Sequence, residues 1–195
     1  NPYLGTEEEL ESLINALHKR GMKLMVDVVL NHAGYGTEDY FNSILKDQDG
    51  NSISMIRDKD TTITGDDVRD SLSGLPDFVT ENADVRNQLV EWQTEWMTKY
   101  DIDYYRVDTV KHVDATTWAA FKNSLTKANP DFKMIGEYAG AGYANTAGEL
   151  GTGTMDSLLD FDFNDKAEAL KVFKVAAALQ ITAKGQAVIY YGEEI

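Results

Sequence analysis

The stretch YYRVDTVKHVD at 104–114 sets a guanidinium and a carboxylate two residues apart, Arg106 and Asp108, and follows them with a cation and an imidazole, Lys111 and His112. In a strand, residues two apart point to the same face, so Arg106 would lie beside Asp108. A guanidinium there depresses the acid's pKa and fixes its orientation, as a nucleophilic or charge-stabilising aspartate requires. A purely structural ion pair would read the same way. Glu137 closes a second strand-like run, FKMIGE at 132–137. In α/β folds the C-terminal ends of strands face the ligand crevice, and an apolar setting there raises an acid's pKa toward the working range of a general acid. Two carboxylates on successive strands, one ionised and one protonated, form the arrangement of a retaining glycosidase, with the carboxyls about 5–5.5 Å apart. Asn31 and His32 end a third run, MKLMVDVVL, at the same level, although such a pair by itself is more often a turn with a satisfied histidine.

These residues need elements to hold them. TEEELESLINALHKR at 6–20 opens with Thr6 and Glu9 at capping-box spacing and repeats apolar residues at Leu10, Leu13, Ile14 and Leu17, predicting an amphipathic helix that stops at Gly21. The valine-rich run at 22–30 reads as a strand buried on both faces of a parallel sheet. Val85, Leu89, Trp92 and Trp96 mark a second helix and IDYYRV at 102–107 the next strand; Asp114 caps a helix carrying Trp118, Phe121 and Leu125. LLDFDF at 158–163 and QAVIYYG at 186–192 are further strands, separated by a helix over 165–184. Five strands alternating with helices suit an open doubly wound sheet or part of a (β/α)8 barrel, which needs eight strands and typically about 250 residues.

The segment 33–80 loses periodicity and fills with Gly, Asp, Ser and Asn. A structureless loop of that length inside a domain is improbable, so a small excursion from the end of the 22–30 strand is expected. Within it DQDGN at 47–51 reads as a turn, because its glycine sits too early for an EF-hand. GAG at 140–142 follows a strand, but Asn145 stands where a dinucleotide fingerprint needs its third glycine.

Composition narrows the partners. The 195 residues carry 18 Lys and Arg against 33 Asp and Glu, a formal charge of −15, which repels nucleic acid and anionic membranes and suits neutral ligands or metal cations with oxygen donors. There are no cysteines, so disulfides and thiolate metal sites are excluded. No apolar run approaches the roughly 20 residues that span a bilayer, and NPYLGTEEEL lacks the pattern of a signal peptide.

Together these segments resemble the α-amylase family of retaining glycoside hydrolases. DVVLNH at 27–32 is similar to the family's first conserved region, LPDF at 75–78 to its short domain-B motif, YRVDTVKH at 105–112 to the nucleophile region and IGEY at 135–138 to the acid/base region. GQAVIYYGEE at 185–194 resembles the closing barrel strand, and NPYLGTEEEL the approach to the third strand. The resemblance implies a (β/α)8 barrel in two parts, 1–32 and 81–195, interrupted by a domain-B excursion at 33–80. It implies Asp108 as nucleophile, Arg106 as its orienting partner and Glu137 as general acid/base. His32 would bind sugar at the cleavage site, and Lys111 with His112 would line the acceptor side. Asn31, Asp77 and the carbonyl of His112 match positions that bind a calcium ion joining barrel to domain B. The substrate implied is an α-1,4-glucan, starch or a maltooligosaccharide, acted on by a monomeric enzyme that is secreted or, alternatively, cytoplasmic. A cyclodextrin glucanotransferase shares the same machinery, and a non-catalytic carbohydrate- or partner-binding relative shares the fold.

The chain departs from the family pattern at Tyr104, where a glycine precedes the nucleophile strand, at Val79 in place of asparagine, and at Ala187 in place of proline. The family's third carboxylate lies in a motif ending His-Asp, and none of the histidines at 18, 32 and 112 is followed by Asp. The first two barrel strands would precede Asn1 and the seventh-strand region is missing, so the expectation is a fragment, or a chain with segments omitted. Preorganised charge of this kind is worth orders of magnitude in rate, so a chain this short is expected to have negligible activity by itself.

Overall fold

A computed structural model describes residues 5–58, 64–141 and 154–161. The first helix, α1 (Glu7–Lys19), begins where the sequence places it: Thr6 Oγ1 accepts from the Glu9 amide at 3.3 Å and Glu9 Oε2 accepts from the Thr6 amide at 2.8 Å. This reciprocal pairing satisfies two of the amide donors that a helix start leaves open. The Met22 amide then bonds back to Leu17 O at 3.0 Å. That helix-closing turn consumes the head of the predicted strand, so β1 is only Met25–Val28.

Three further parallel strands follow: β2 (Tyr104–Val107), β3 (Lys133–Gly136) and β4 (Ser157–Leu158). They lie in the order β1-β2-β3-β4. Parallel neighbours need crossovers. Two helices supply them, α3 (Ala83–Tyr100) before β2 and α4 (Ala115–Ala128) before β3. Asn82 caps α3 through the amides of Asp84 and Val85, and Asp114 caps α4 through that of Thr117. α3 ends on Asp101, whose φ of 49° is left-handed. The predicted strand at 158–163 is shorter and earlier than expected. Its last ladder bond, Leu159 N to Gly136 O at 2.9 Å, coincides with the end of β3. The helix expected at 165–184 and the strand at 186–192 lie outside the described residues.

The core between sheet and helices is aromatic. Tyr105 on β2 stacks on Phe121 of α4 and meets Phe132 edge-on at 5.0 Å, and all three are almost fully buried. Tyr105 still bonds its hydroxyl to Gln93 O of α3 at 2.7 Å, as a buried phenol must. Register puts Asp27, Arg106 and Ile135 on one line across the sheet, and Val28, Val107 and Gly136 on the next. The residues that follow, up to His32 after β1, then Asp108 and Glu137, therefore emerge from the same end.

The 33–80 segment leaves from β1 and returns beside it. It contains the short helix α2 (Glu38–Asn42) and the turn at 47–51, where Asp47 Oδ1 accepts from the amides of Asp49 and Asn51. Its return leg bonds Phe78 N to Asn31 O at 2.8 Å and Ala33 N to Pro76 O at 2.9 Å. Ile56 and Phe78 pair antiparallel, and with Met55 they are buried in the same core as the sheet. Among the described residues no helix is long and apolar enough to cross a membrane.

Candidate functional site

The site is built around one guanidinium. Arg106 points from β2 with its side chain only 9% exposed, and Nη1 lies 2.6 Å from Asp108 Oδ1 while Nη2 lies 3.0 Å from Glu137 Oε2. The sequence argument for Arg106 beside Asp108 holds, and the cation also reaches the acid of the neighbouring strand. A third acid joins them. Asp27 on β1 sits directly opposite Arg106 in register and accepts from Nη1 through both oxygens, at 3.0 and 2.9 Å. Sequence reasoning passed over Asp27, yet its signal was present: it is the one charged residue in the apolar run MVDVVL.

Environment separates the two strand-end acids. Burial pushes Asp108 up, but the hydrogen bond from Arg106, reinforced by one from Glu137 and by the charge of Arg106, holds its carboxyl below the usual aspartate range. For Glu137 burial and the interaction with Asp108 outweigh the pull of Arg106, so its carboxyl stands above the usual glutamate range. Of the two acids, Asp108 therefore gives up its proton first and Glu137 keeps its own to higher pH. That is the division of labour a nucleophile and a general acid need.

Backbone shape brings the two acids together. Thr109, immediately after Asp108, is left-handed at φ 49°, a costly conformation for a β-branched residue. It turns its amide toward Glu137 Oε2 at 3.4 Å, and Val110 N bonds Glu137 O at 2.8 Å. Gly136 permits this approach: a Cβ there would stand 2.8 Å from both Val110 Cγ2 and Leu158 Cδ2.

The other expected site residues surround this centre. His32 is half-buried, with its pKa lowered first by desolvation and then by His112, against the opposing pull of Asp108. Lys111 Nζ lies 3.5 Å from Asp67 Oδ2, and the buried His112 pairs Nδ1 with Asp67 O at 2.8 Å. Both are therefore tied to the excursion rather than free. Asn31 and Asp77 are buried and adjacent. One end of the Asn31 amide stands 3.2 Å from Asp77 Oδ1 and 2.7 Å from His112 O, and the other 3.3 Å from His32 Nδ1. With nitrogen at the first end every group is hydrogen-bonded. With oxygen there, three oxygens converge, an arrangement that a bound cation would satisfy. The donor set of one carboxylate, one amide and one carbonyl fits a hard cation such as calcium. Asp77 also takes Arg57 Nε at 2.9 Å, a partner that sequence reasoning did not find.

Comparison with known proteins adds to this geometry. The family model of the alpha amylase catalytic domain matches residues 1–171. A maltogenic alpha-amylase of Bacillus acidopullulyticus is 29% identical over 142 residues, 70% of this chain and 24% of that protein. An intracellular maltogenic amylase of Bacillus subtilis is 27% identical over 139 residues, again 70% of this chain and 24% of that protein. The chain thus spans about a quarter of the length of these curated relatives, and the word intracellular in one name means that likeness alone does not fix a cellular location. Among solved structures, the alpha-amylase of Geobacillus thermoleovorans complexed with acarbose superposes with a TM-score of 0.67 at 28% identity, covering 86% of this chain and 37% of that one.

Proposed function

Because the chain belongs to the α-amylase family of glycoside hydrolases, whose (β/α)8 barrel its parallel strands partly supply, we propose that it carries the nucleophile and the acid/base of an enzyme that hydrolyses α-1,4-glucosidic bonds with retention. The observation that supports this reading is the single guanidinium of Arg106 shared by Asp108 and Glu137, with the Asp108 carboxyl held below its ordinary range and that of Glu137 above it.

The reaction runs in two steps. The Asp108 carboxylate attacks the anomeric carbon of the sugar; the bond from that carbon to the leaving oxygen breaks, and Glu137 gives its proton to that oxygen. A water molecule then attacks the same carbon, Glu137 takes back a proton, and the ester to Asp108 is released. Arg106 orients Asp108 throughout. His32, its pKa lowered by burial, contributes an imidazole for a sugar hydroxyl. Lys111 and His112 border the acceptor side from beneath the excursion, where the choice between water and a second sugar is made. Calcium, held by Asn31, Asp77 and the His112 carbonyl, would supply a structural tie between the strand ends and residues 33–80, which we read as the domain-B excursion.

The test uses the intact protein and a maltooligosaccharidyl fluoride carrying a second fluorine next to the anomeric centre, which slows release of the covalent intermediate. Peptide mapping should find the sugar esterified to Asp108. Labelling of another residue, or starch hydrolysis undiminished in Asp108→Asn and Glu137→Gln, would overturn the assignment.

A further inference from the structure

The junction between the excursion and the strand ends holds a cation of its own. Arg57 stands opposite Asp77 in a short antiparallel pairing, with Arg57 N bonded to Asp77 O at 2.7 Å and Val79 N to Met55 O at 2.9 Å. From that fixed position the guanidinium donates Nε to Asp77 Oδ2 at 2.9 Å and its two terminal nitrogens to the two oxygens of Glu81, each at 2.8 Å. Its side chain is 14% exposed, and that of Asp77 only 3%. A planar fork engaged in this way is a preorganised, charge-assisted contact. It differs from a surface pair because one of its acids is buried.

Charge counting shows what this does to the oxygen site. Asp77 and Glu81 bring two negative charges and Arg57 one positive. Arg57 competes with a metal for Asp77 Oδ2, and the oxygen it leaves unpaired, Oδ1, is the one facing Asn31. Among the described residues no group of three or more His, Cys, Asp or Glu side chains gathers there or elsewhere to hold a metal. Calcium affinity falls as the count of charged ligands falls. The Asn31 amide, turned with its nitrogen toward Asp77 and His112 O, satisfies both acceptors without any ion.

We propose that Arg57 is the resident counter-cation of this junction, holding residues 33–80 to the strand ends in the absence of metal and leaving calcium a weak, supplementary ligand. Arg57 is thus a positioning residue that acts through Asp77. The metal half of this inference rests on the calcium reading given under the proposed function; the metal-free half rests on the Arg57 contacts alone.

Differential scanning calorimetry of the intact protein in EDTA and in millimolar calcium, with isothermal titration of calcium, tests it. The unsubstituted protein should melt within about 3 °C of the same temperature in both buffers and bind calcium weakly. Arg57→Met strands a buried carboxylate and should lower the EDTA melting temperature by roughly 10 °C, with calcium restoring most of the loss and binding about tenfold tighter. Arg57→Lys keeps the charge without the fork and should fall between. If Arg57→Met fails to fold in EDTA, the Arg57→Met/Asp77→Asn pair, which has no stranded charge, should fold and lose its calcium response. A collapse of the unsubstituted protein by more than about 10 °C in EDTA, or Arg57→Met melting like the parent there, would overturn the proposal. No calcium binding by any variant, with the EDTA loss intact, supports the Arg57 tie and removes the calcium reading instead.

Discussion

Arg106 reaches across the β2–β3 pairing to Glu137, Nη2 to Oε2 at 3.0 Å, while its other terminal nitrogen holds Asp108 at 2.6 Å. One cation therefore fixes the spacing of both acids, which makes Arg106 more than the neighbour of one aspartate. Arg106→Lys keeps a positive charge but cannot span two acids with a fork. In the complete enzyme proposed above, kcat on a maltooligosaccharide should fall about 10²–10³-fold, the scale of losing one preorganised electrostatic contact, with KM changed much less. Steady-state kinetics check this; equal loss in kcat and gain in KM would point to a role in substrate binding.

Asp27 shares the same guanidinium from the opposite strand. Asp27→Asn leaves Arg106 free to lean toward Asp108 and Glu137, so the acids are misplaced although neither is altered. A displacement of this kind costs about 10- to 100-fold in kcat. The lost negative charge also lowers the Glu137 pKa, so the alkaline edge of the rate profile should move to lower pH. A profile unchanged in position would restrict Asp27 to a packing role.

The pH profile itself follows from the two shifts. The proposed reaction requires Asp108 ionised and Glu137 protonated, so its rate should rise with pH as Asp108 loses its proton and fall as Glu137 loses its own. Asp108 lies below its ordinary value and Glu137 above, so the plateau should bracket the usual carboxylate range. Arg106→Gln removes a positive charge from both acids and should carry both edges to higher pH. Rate measurements on a substrate whose leaving group needs no protonation should lose the alkaline edge alone.

Gly136 is tested through stability. A side chain at that position meets Val110, Leu158 and Met155 within 2.8–3.1 Å, where overpacking costs about 1–3 kcal/mol. Gly136→Ala should lower the denaturation midpoint accordingly. It should also reduce kcat, because the strand end that carries Glu137 is pushed from the turn that carries Asp108. Retained stability and rate would show that Val110 and Leu158 yield without displacing either acid.

Local sequence was enough for the helix starts. Thr6 with Glu9 and Asp114 with Thr117 announce helix starts because a cap involves residues only three apart. The acids at 108 and 137 were legible as strand-end groups because strand period and length are local properties. Strand extents were less legible: β1 loses its head to the turn that closes α1, and β4 stops with its last ladder bond to β3.

What the sequence by itself determined, then, is the set of chemical groups and the elements that carry them: an arginine two residues from an aspartate, and a glutamate closing the next strand. Only the tertiary structure decided which groups share a partner. Asp27 meets Arg106 across 79 residues and Arg57 meets Asp77 across 20. Parallel register and the return path of the excursion create those encounters, and they depend on how separate segments pack rather than on the spacing within any one of them.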